Sequence, residues 1–200
     1  MVDKNSAVVA SGPPATPERD TPFGAARGVV LEEINMVVER VREREAIGLQ
    51  EEVLRADRVF LLGMGRSKLV ADAFAMRLVH LGLNAHVAAD TTTPSTGEGD
   101  LLIACSGSGE TPVVVTLTDE AVAAGTRVAV VTADPRSRLG QRAHHLVRLD
   151  CGGDDTDSEQ FVGTLFEQAC LVFFDCLVLA LEQALGVASE EMFARHTNLE

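Results

Sequence analysis

Positive charge is scarce in this sequence: 17 Lys and Arg stand against 30 Asp and Glu, a formal net charge of -13. Such a surface repels nucleic-acid phosphates and anionic headgroups beyond contact distance, so neither nucleic acid nor membrane is an expected partner. If a small anion binds, backbone N–H groups, hydroxyls and one or two basic side chains must hold it against that field. Paired cysteines are lacking too. Cys105, Cys151, Cys170 and Cys176 form no C-x-x-C pair, and the last two are six residues apart in a helical stretch. At the helical rise they lie about 9 Å apart, too far for a bridge. Reduced thiols and a cytoplasmic setting follow. Cys and His are scattered without ligand spacing, so no metal site is expected.

The first residues have neither the basic start nor the apolar core of a secretory signal, and Pro13, Pro14, Pro17 and Pro22 oppose a helix there. Residues 1–22 are expected to be a disordered arm, and 23–200 one domain. No solenoid repeat and no hairpin signal is visible. The most apolar run, Ala169 to Leu181, is shorter than a membrane span and carries Asp175, which predicts a buried helix.

What is present is strand and helix in alternation. Val30, Leu31, Ile34, Val37, Val38 and Val41 recur at helical spacing before about Ala56. Strands are predicted at 58–62, 85–89, 101–105, 127–131 and 145–149, with helices over 67–78 and 111–124 between them. This pattern predicts an α/β fold, a three-layer αβα sandwich around a five-stranded parallel sheet of flavodoxin-like topology. An acidic connection from Asp150 to Asp157 leads to a long helix over 164–185 and a short one ending near Arg195. Apolar residues face almost every direction along 169–181, so that helix is either sandwiched in the core or packed on another subunit.

Three polar loops fall at predicted strand ends. Ser106-Gly107-Ser108-Gly109-Glu110-Thr111 combines three hydroxyls and two glycines at a helix entrance, where free amides and the helix dipole favour a phosphate. The plain alternative is a turn with a helix cap. Gly63-Met-Gly65-Arg66-Ser67-Lys68 is a second strand-to-helix turn, in which Ser67 is either a ligand contact or a cap. A third loop, Asp90 to Pro94, adds Thr92 and its neighbours. Gly63 and Gly65 with Asp90 weakly mimic a dinucleotide site, but Lys68 stands where a third small residue belongs.

These residues resemble the sugar isomerase (SIS) domain family and, within it, the 6-phospho-3-hexuloisomerases. The matching motifs are Gly63–Ser67, Ala73–Leu78, Thr91–Pro94, Ser106–Thr111, Gly163–Glu167 and Arg195–Glu200, in the family's order from about residue 24 onward. The resemblance implies interconversion of D-arabino-hex-3-ulose 6-phosphate and D-fructose 6-phosphate without metal or organic cofactor. It implies that Ser106, Ser108 and Thr111 bind the phosphate, with Gly107, Gly109 and Glu110 of the same loop and Thr92 of the third loop among the binding residues. Ser67 would contact the substrate and Glu167 would be the base. His196 would act as an acid, and the assembly would be a homotetramer or homodimer in which subunits share sites. Independently of the family, Thr164-Leu-Phe-Glu167 reads as a capping box, and a histidine near a chain end is ordinarily solvated.

Two features depart from the family pattern: the acidic 150–157 connection stands where a basic residue is usual, and Phe161-Val162 replaces a Pro-Met pair. A phosphate site short of one cation is the expected consequence, weaker by about 1.5 to 3 kcal/mol. Besides an isomerase, two other functions fit the loops. One is a non-catalytic sugar-phosphate sensor, which would usually carry a DNA-binding unit that the short N-terminal stretch does not resemble. The other is a nicotinamide-dependent oxidoreductase, which leaves the 106–111 loop unexplained.

Overall fold

The computed structural model describes residues 21–152 and 158–198. Most of the expected arm, the 153–157 part of the acidic connection, and the last two residues lie outside them. The chain enters through α1 (Pro22–Glu39) and α2 (Glu43–Arg55). Pro22 was expected to oppose a helix and instead starts one: Thr21 caps it through Gly24 N–H at 3.0 Å, and a proline in the first turn loses no hydrogen bond it could have made.

There follow β1 (Val59–Leu62), α3 (Arg66–His80), β2 (Ala85–Val87), β3 (Leu101–Cys105), α4 (Pro112–Ala123), β4 (Arg127–Thr132), β5 (His145–Arg148), α5 (Thr164–Leu185) and α6 (Ser189–Ala194), with a 3-10 turn at Gly140–Arg142. All pairings are parallel, in the order β2-β1-β3-β4-β5. The chain moves outward from β1 to β2 and then crosses back to β3. The topology therefore switches between β1 and β3, and their following loops flank the crevice where open α/β sheets bind ligands.

The two faces are covered unequally. Alternate strand residues such as Leu61, Ile103, Val131 and Val147 pack against α1, α2, α3 and α5, whereas Phe60, Leu102 and Val130 pack with α4 and Leu139. On the heavier face α5 lies across α3 and α1. Phe74 of α3 and Phe174 of α5 stack with ring centroids 4.1 Å apart and planes within 1°. That joint matters below, because both helices begin at the same cavity.

α5, 22 residues long, is long and apolar enough to span a bilayer by length and composition, and it is burial that marks it as a helix of the fold. Its Ala169, Cys170, Phe173, Phe174, Leu177, Val178 and Leu181 are in the core. It is not sandwiched, however: Leu171, Val172 and Leu179 on its other side are exposed. His144 and His145 serve the fold, the first accepting Val128 N–H at Nδ1 (3.0 Å) and the second donating from Nε2 to Glu45 O (2.7 Å).

Candidate active site

At the carboxyl edge of the sheet a cavity of about 900 Å3 opens between the loops after β1, β3, β4 and β5 and the start of α5. Its lining includes Ser67, Ser106, Gly107, Ser108, Thr111 and Glu167, six residues that the sequence had marked.

The loop after β3 is built to present hydroxyl protons. Ser106 Oγ accepts Gly109 N–H (3.2 Å) and shares a hydrogen bond with Thr111 Oγ1 (3.1 Å). Whichever of those two hydroxyls donates, the other keeps its proton for a ligand. Ser108 Oγ accepts Glu110 N–H (3.2 Å), which leaves its own O–H free to donate. Thr111 is the N-cap of α4 without capping through its side chain, so the helix's first amides and positive dipole end face the loop. The loop is fixed from β4: Thr132 Oγ1 and Ala133 N–H both donate to Gly107 O at 3.1 Å, and Leu139 N–H donates to Gly109 O at 3.0 Å. Gly109 has φ +64°, and a Cβ there would fall 1.9 Å from Ser137 Oγ.

Two members of this loop do other work. Glu110 does not line the cavity. Its carboxylate accepts Arg138 N–H (2.8 Å) and Arg138 Nε–H (2.6 Å), and those contacts, the backbone one foremost, hold its carboxyl below the ordinary range. A carboxylate beside a phosphate would repel it, so Glu110 belongs to the latch between the loops. Gly109 likewise shapes the loop without reaching the cavity. Thr92 is exposed and also away from the cavity; Thr93 Oγ1 donates to Val87 O (2.6 Å). The physical reason is the strand order. β2 is the edge strand, separated from β3 by β1, and its loop opens on a smaller cavity against α4. Asp90 there faces Lys68 Nζ at 3.7 Å, and Lys68 is held by Asp72 at 2.8 Å, so neither residue offers a ribose site at the crevice.

Ser67 reaches the cavity from the first turn of α3. The helix is capped by Gly65, so Ser67 is not the cap. Gly63 lets the turn close this tightly, since a Cβ there would be 2.7 Å from Ser67 O.

Glu167 lies in the first turn of α5 but closes no capping box. The N-cap is Gly163, in the left-handed region at φ 86°, and the Glu167 carboxylate instead accepts Nε–H of Arg66, at the start of α3. The preceding residue, Phe166, packs under Gly107, where a Cβ would be 3.1 Å from its ring. The carboxylate is thereby set beside the hydroxyl loop.

His196 is elsewhere. It is exposed beyond α6, and its ring stacks on His80 with centroids 5.0 Å apart. His80 ends α3, and Ser67 begins it; at the helical rise they are about 20 Å apart. Within one chain His196 and Glu167 do not meet.

The SIS domain profile matches residues 52–168, more than half of the chain. The chain belongs to the SIS domain family. It is 37% identical over 176 residues to the 3-hexulose-6-phosphate isomerase of Bacillus subtilis, covering 86% of this chain and 95% of that protein. With the enzyme of the same name from Mycobacterium gastri it shares 39% over 177 residues, covering 86% and 88%. Among solved structures, a Methanococcus jannaschii protein whose structure infers a molecular function of 3-hexulose-6-phosphate isomerase superposes with a TM-score of 0.77. That pair is 27% identical, over 88% of this chain and 99% of that one.

The SIS match takes in Ser67, the 106–111 loop and Glu167, and ends before His196. Sequence reasoning missed three arginines in this SIS domain: Arg66 on Glu167, and Arg136 and Arg148 in the cavity lining. Two cations, Arg136 and Arg148, thus reach the cavity from beyond β4 and from the end of β5. Arg148 carried a usable signal, being a basic residue at the carboxyl end of the last predicted strand. The lining also includes Cys105 and Cys151. Burial first, then a hydrogen bond with Cys105, push the thiol of Cys170 beneath them well up.

Proposed function

We propose that this SIS domain interconverts D-arabino-hex-3-ulose 6-phosphate and D-fructose 6-phosphate through a 2,3-enediol, with Glu167 as the base. The observation that carries this is the meeting of one carboxylate and one hydroxyl-rich helix entrance in a single cavity, in a chain so similar to enzymes of that name. Ser106, Ser108 and Thr111 hold the phosphate, and Ser67 contacts the sugar. Glu167 takes the proton from C2 beside the C3 carbonyl, whose oxygen gains a proton as the enediol forms; the carbon proton then returns at C3 while the C2 hydroxyl gives up its proton and becomes the carbonyl. The unreacting phosphate supplies binding energy that holds C2 and C3 against the carboxylate.

The assembly we propose is a homo-oligomer. Leu171, Val172 and Leu179 of α5, with Leu69, Met76 and Val79 of α3, form exposed apolar surface of the kind a second copy covers. His196, remote from its own cavity, would act as the acid in a neighbour's. Four unbridged cysteines support a cytoplasmic setting.

The test is proton exchange followed by NMR. In deuterated solvent the wild type should place deuterium at the reacting carbon of the phosphosugar, and Glu167→Gln should place none while still binding it. Equal exchange in the variant would remove Glu167 from the reaction.

A further inference from the structure

Among the described residues two cations line the cavity, Arg136 and Arg148, and they are not equivalent. The Arg136 side chain is 93% exposed and meets only Asp134 at 3.6 Å, so solvent screens it. Arg148 is built in. It is the last residue of β5, paired in register with Thr132 of β4. β4 in turn is paired with β3, from which the hydroxyl loop springs. Two strand spacings, about 10 Å, separate its backbone from that loop, a gap that an arginine side chain and a phosphate fill together.

Both ends of Arg148 are tied. Its backbone N–H donates to Oε2 of Glu45 on α2 (3.0 Å), and Nη2 donates to Asp150 Oδ1 (3.0 Å). Nε is different: it is shut off from bulk solvent and meets no acceptor among the described residues. A buried N–H without a partner is costly, and such a group in a native fold points to a ligand or bound water that accepts from it. The net charge of -13 adds the same demand, since an anion drawn to this surface needs a fixed cation at close range.

We infer that Arg148 is a substrate-binding residue whose Nε–H donates to a phosphate oxygen of the ligand, opposite the hydroxyls of Ser106, Ser108 and Thr111. Asp150 is then a positioning residue, which holds Nη2. This rests on the phosphosugar reading above.

The experiment compares the full-length wild type with Arg148→Met and Arg148→Lys, each checked for folding by thermal melting. Two quantities are read: the Kd for inorganic phosphate by calorimetry, and KM and kcat for the isomerisation. In Arg148→Met both the phosphate Kd and KM should rise at least about tenfold, the loss of one charge-assisted hydrogen bond, with kcat falling less than KM rises. Arg148→Lys, which keeps the charge but not the direction of Nε–H, should fall between. If the methionine variant does not fold, the lysine variant decides by the same two readouts. An active wild type with phosphate Kd and KM unchanged in the variants overturns the role of Arg148 and leaves the isomerase standing. A wild type that neither binds phosphate nor isomerises overturns the isomerase, and this inference with it.

Discussion

Gly109→Ala is the substitution whose outcome the hydroxyl loop determines most directly. The residue sits at φ +64°, where an L side chain costs about 1 to 2 kcal/mol. The added Cβ would also lie 1.9 Å from Ser137 Oγ and 2.5 Å from Ser137 Cβ. Ser137 has nowhere to go, because it is buried, donates to Asp134 O at 2.7 Å and accepts Gly140 N–H at 3.2 Å. The loop must therefore move, and overpacking of this kind adds about 1 to 3 kcal/mol. The sum, about 2 to 5 kcal/mol, corresponds to a fall in Tm of roughly 4 to 20 °C for a domain of this size. Movement of Gly109 also breaks the Leu139 N–H contact and displaces Ser106 Oγ, so phosphate binding should weaken in the same variant. Ser137→Gly combined with it removes the obstruction but not the backbone cost, and should recover part of the loss. The assays are calorimetric melting and phosphate titration. A Gly109→Ala protein that melts with the wild type and binds phosphate equally would show that this loop is neither packed nor used as described.

Arg66→Met should separate stability from catalysis. The Arg66 side chain is 61% exposed, so its pair with Glu167 contributes about 0 to 1 kcal/mol and Tm should move little. If Arg66 positions the base, however, kcat should fall by up to about a hundredfold, and an unchanged kcat would exclude that role. Glu33→Gln tests the hold of α1 on the residues before α5. Burial pushes the Glu33 carboxyl up, but hydrogen bonds from Gln160, the Glu159 backbone and Ser158 outweigh it and hold it below its ordinary 4.5. The stability it contributes is present above 4.5 and lost as pH falls through the lower folded value. Urea midpoints should therefore drop on acidification through that window in the wild type and less in Glu33→Gln; parallel curves would refute the latch. Leu179→Asp, on the exposed side of α5, should leave a folded monomer by sedimentation with kcat reduced, and an unchanged assembly would place the interface elsewhere.

The sheet was legible because its central strands are short apolar runs set off from helical periodicity; Leu101–Cys105 and Thr164–Leu185 fall at the predicted ends. The hydroxyl loop was legible for a related reason: its function depends on neighbours in the chain, which a motif records. What failed were the residues whose direction depends on distant partners. Glu110 sits inside the motif yet turns to Arg138, 28 positions on. Glu167 fits a capping box by spacing, but Gly163 takes the cap and Arg66, 101 positions back, takes the carboxylate. Thr92 looks like its neighbours in composition, and only the strand order shows that its loop opens elsewhere. Arg148 is one basic residue in a strand until Asp150, Glu45 and the cavity are placed around it.

The two halves of the proposed site are positioned by different parts of the molecule. The hydroxyl loop and Arg148 grow from β3 and β5, on either side of β4, and are tied into β4 and α2 by hydrogen bonds, so the anion end inherits the stiffness of the sheet. Glu167 rides on α5, whose placement comes from the Phe74–Phe174 stack and the remaining apolar contacts with α3 and α1. Phe166 beneath Gly107 joins the halves directly, as does Cys170 of α5 through Cys105 at the end of β3, and these contacts bear on the separation between the carboxylate and the hydroxyl loop. In a reaction at C2 and C3 of a 6-phosphate, that separation has to match the sugar's length between phosphate and reacting carbons. A Cβ at position 107 would lie 3.1 Å from the Phe166 ring, which would have to give by a few tenths of an ångström, a shift that bears on the same separation. Under the proposed function, this packing contact would therefore contribute to discrimination among phosphosugars by length.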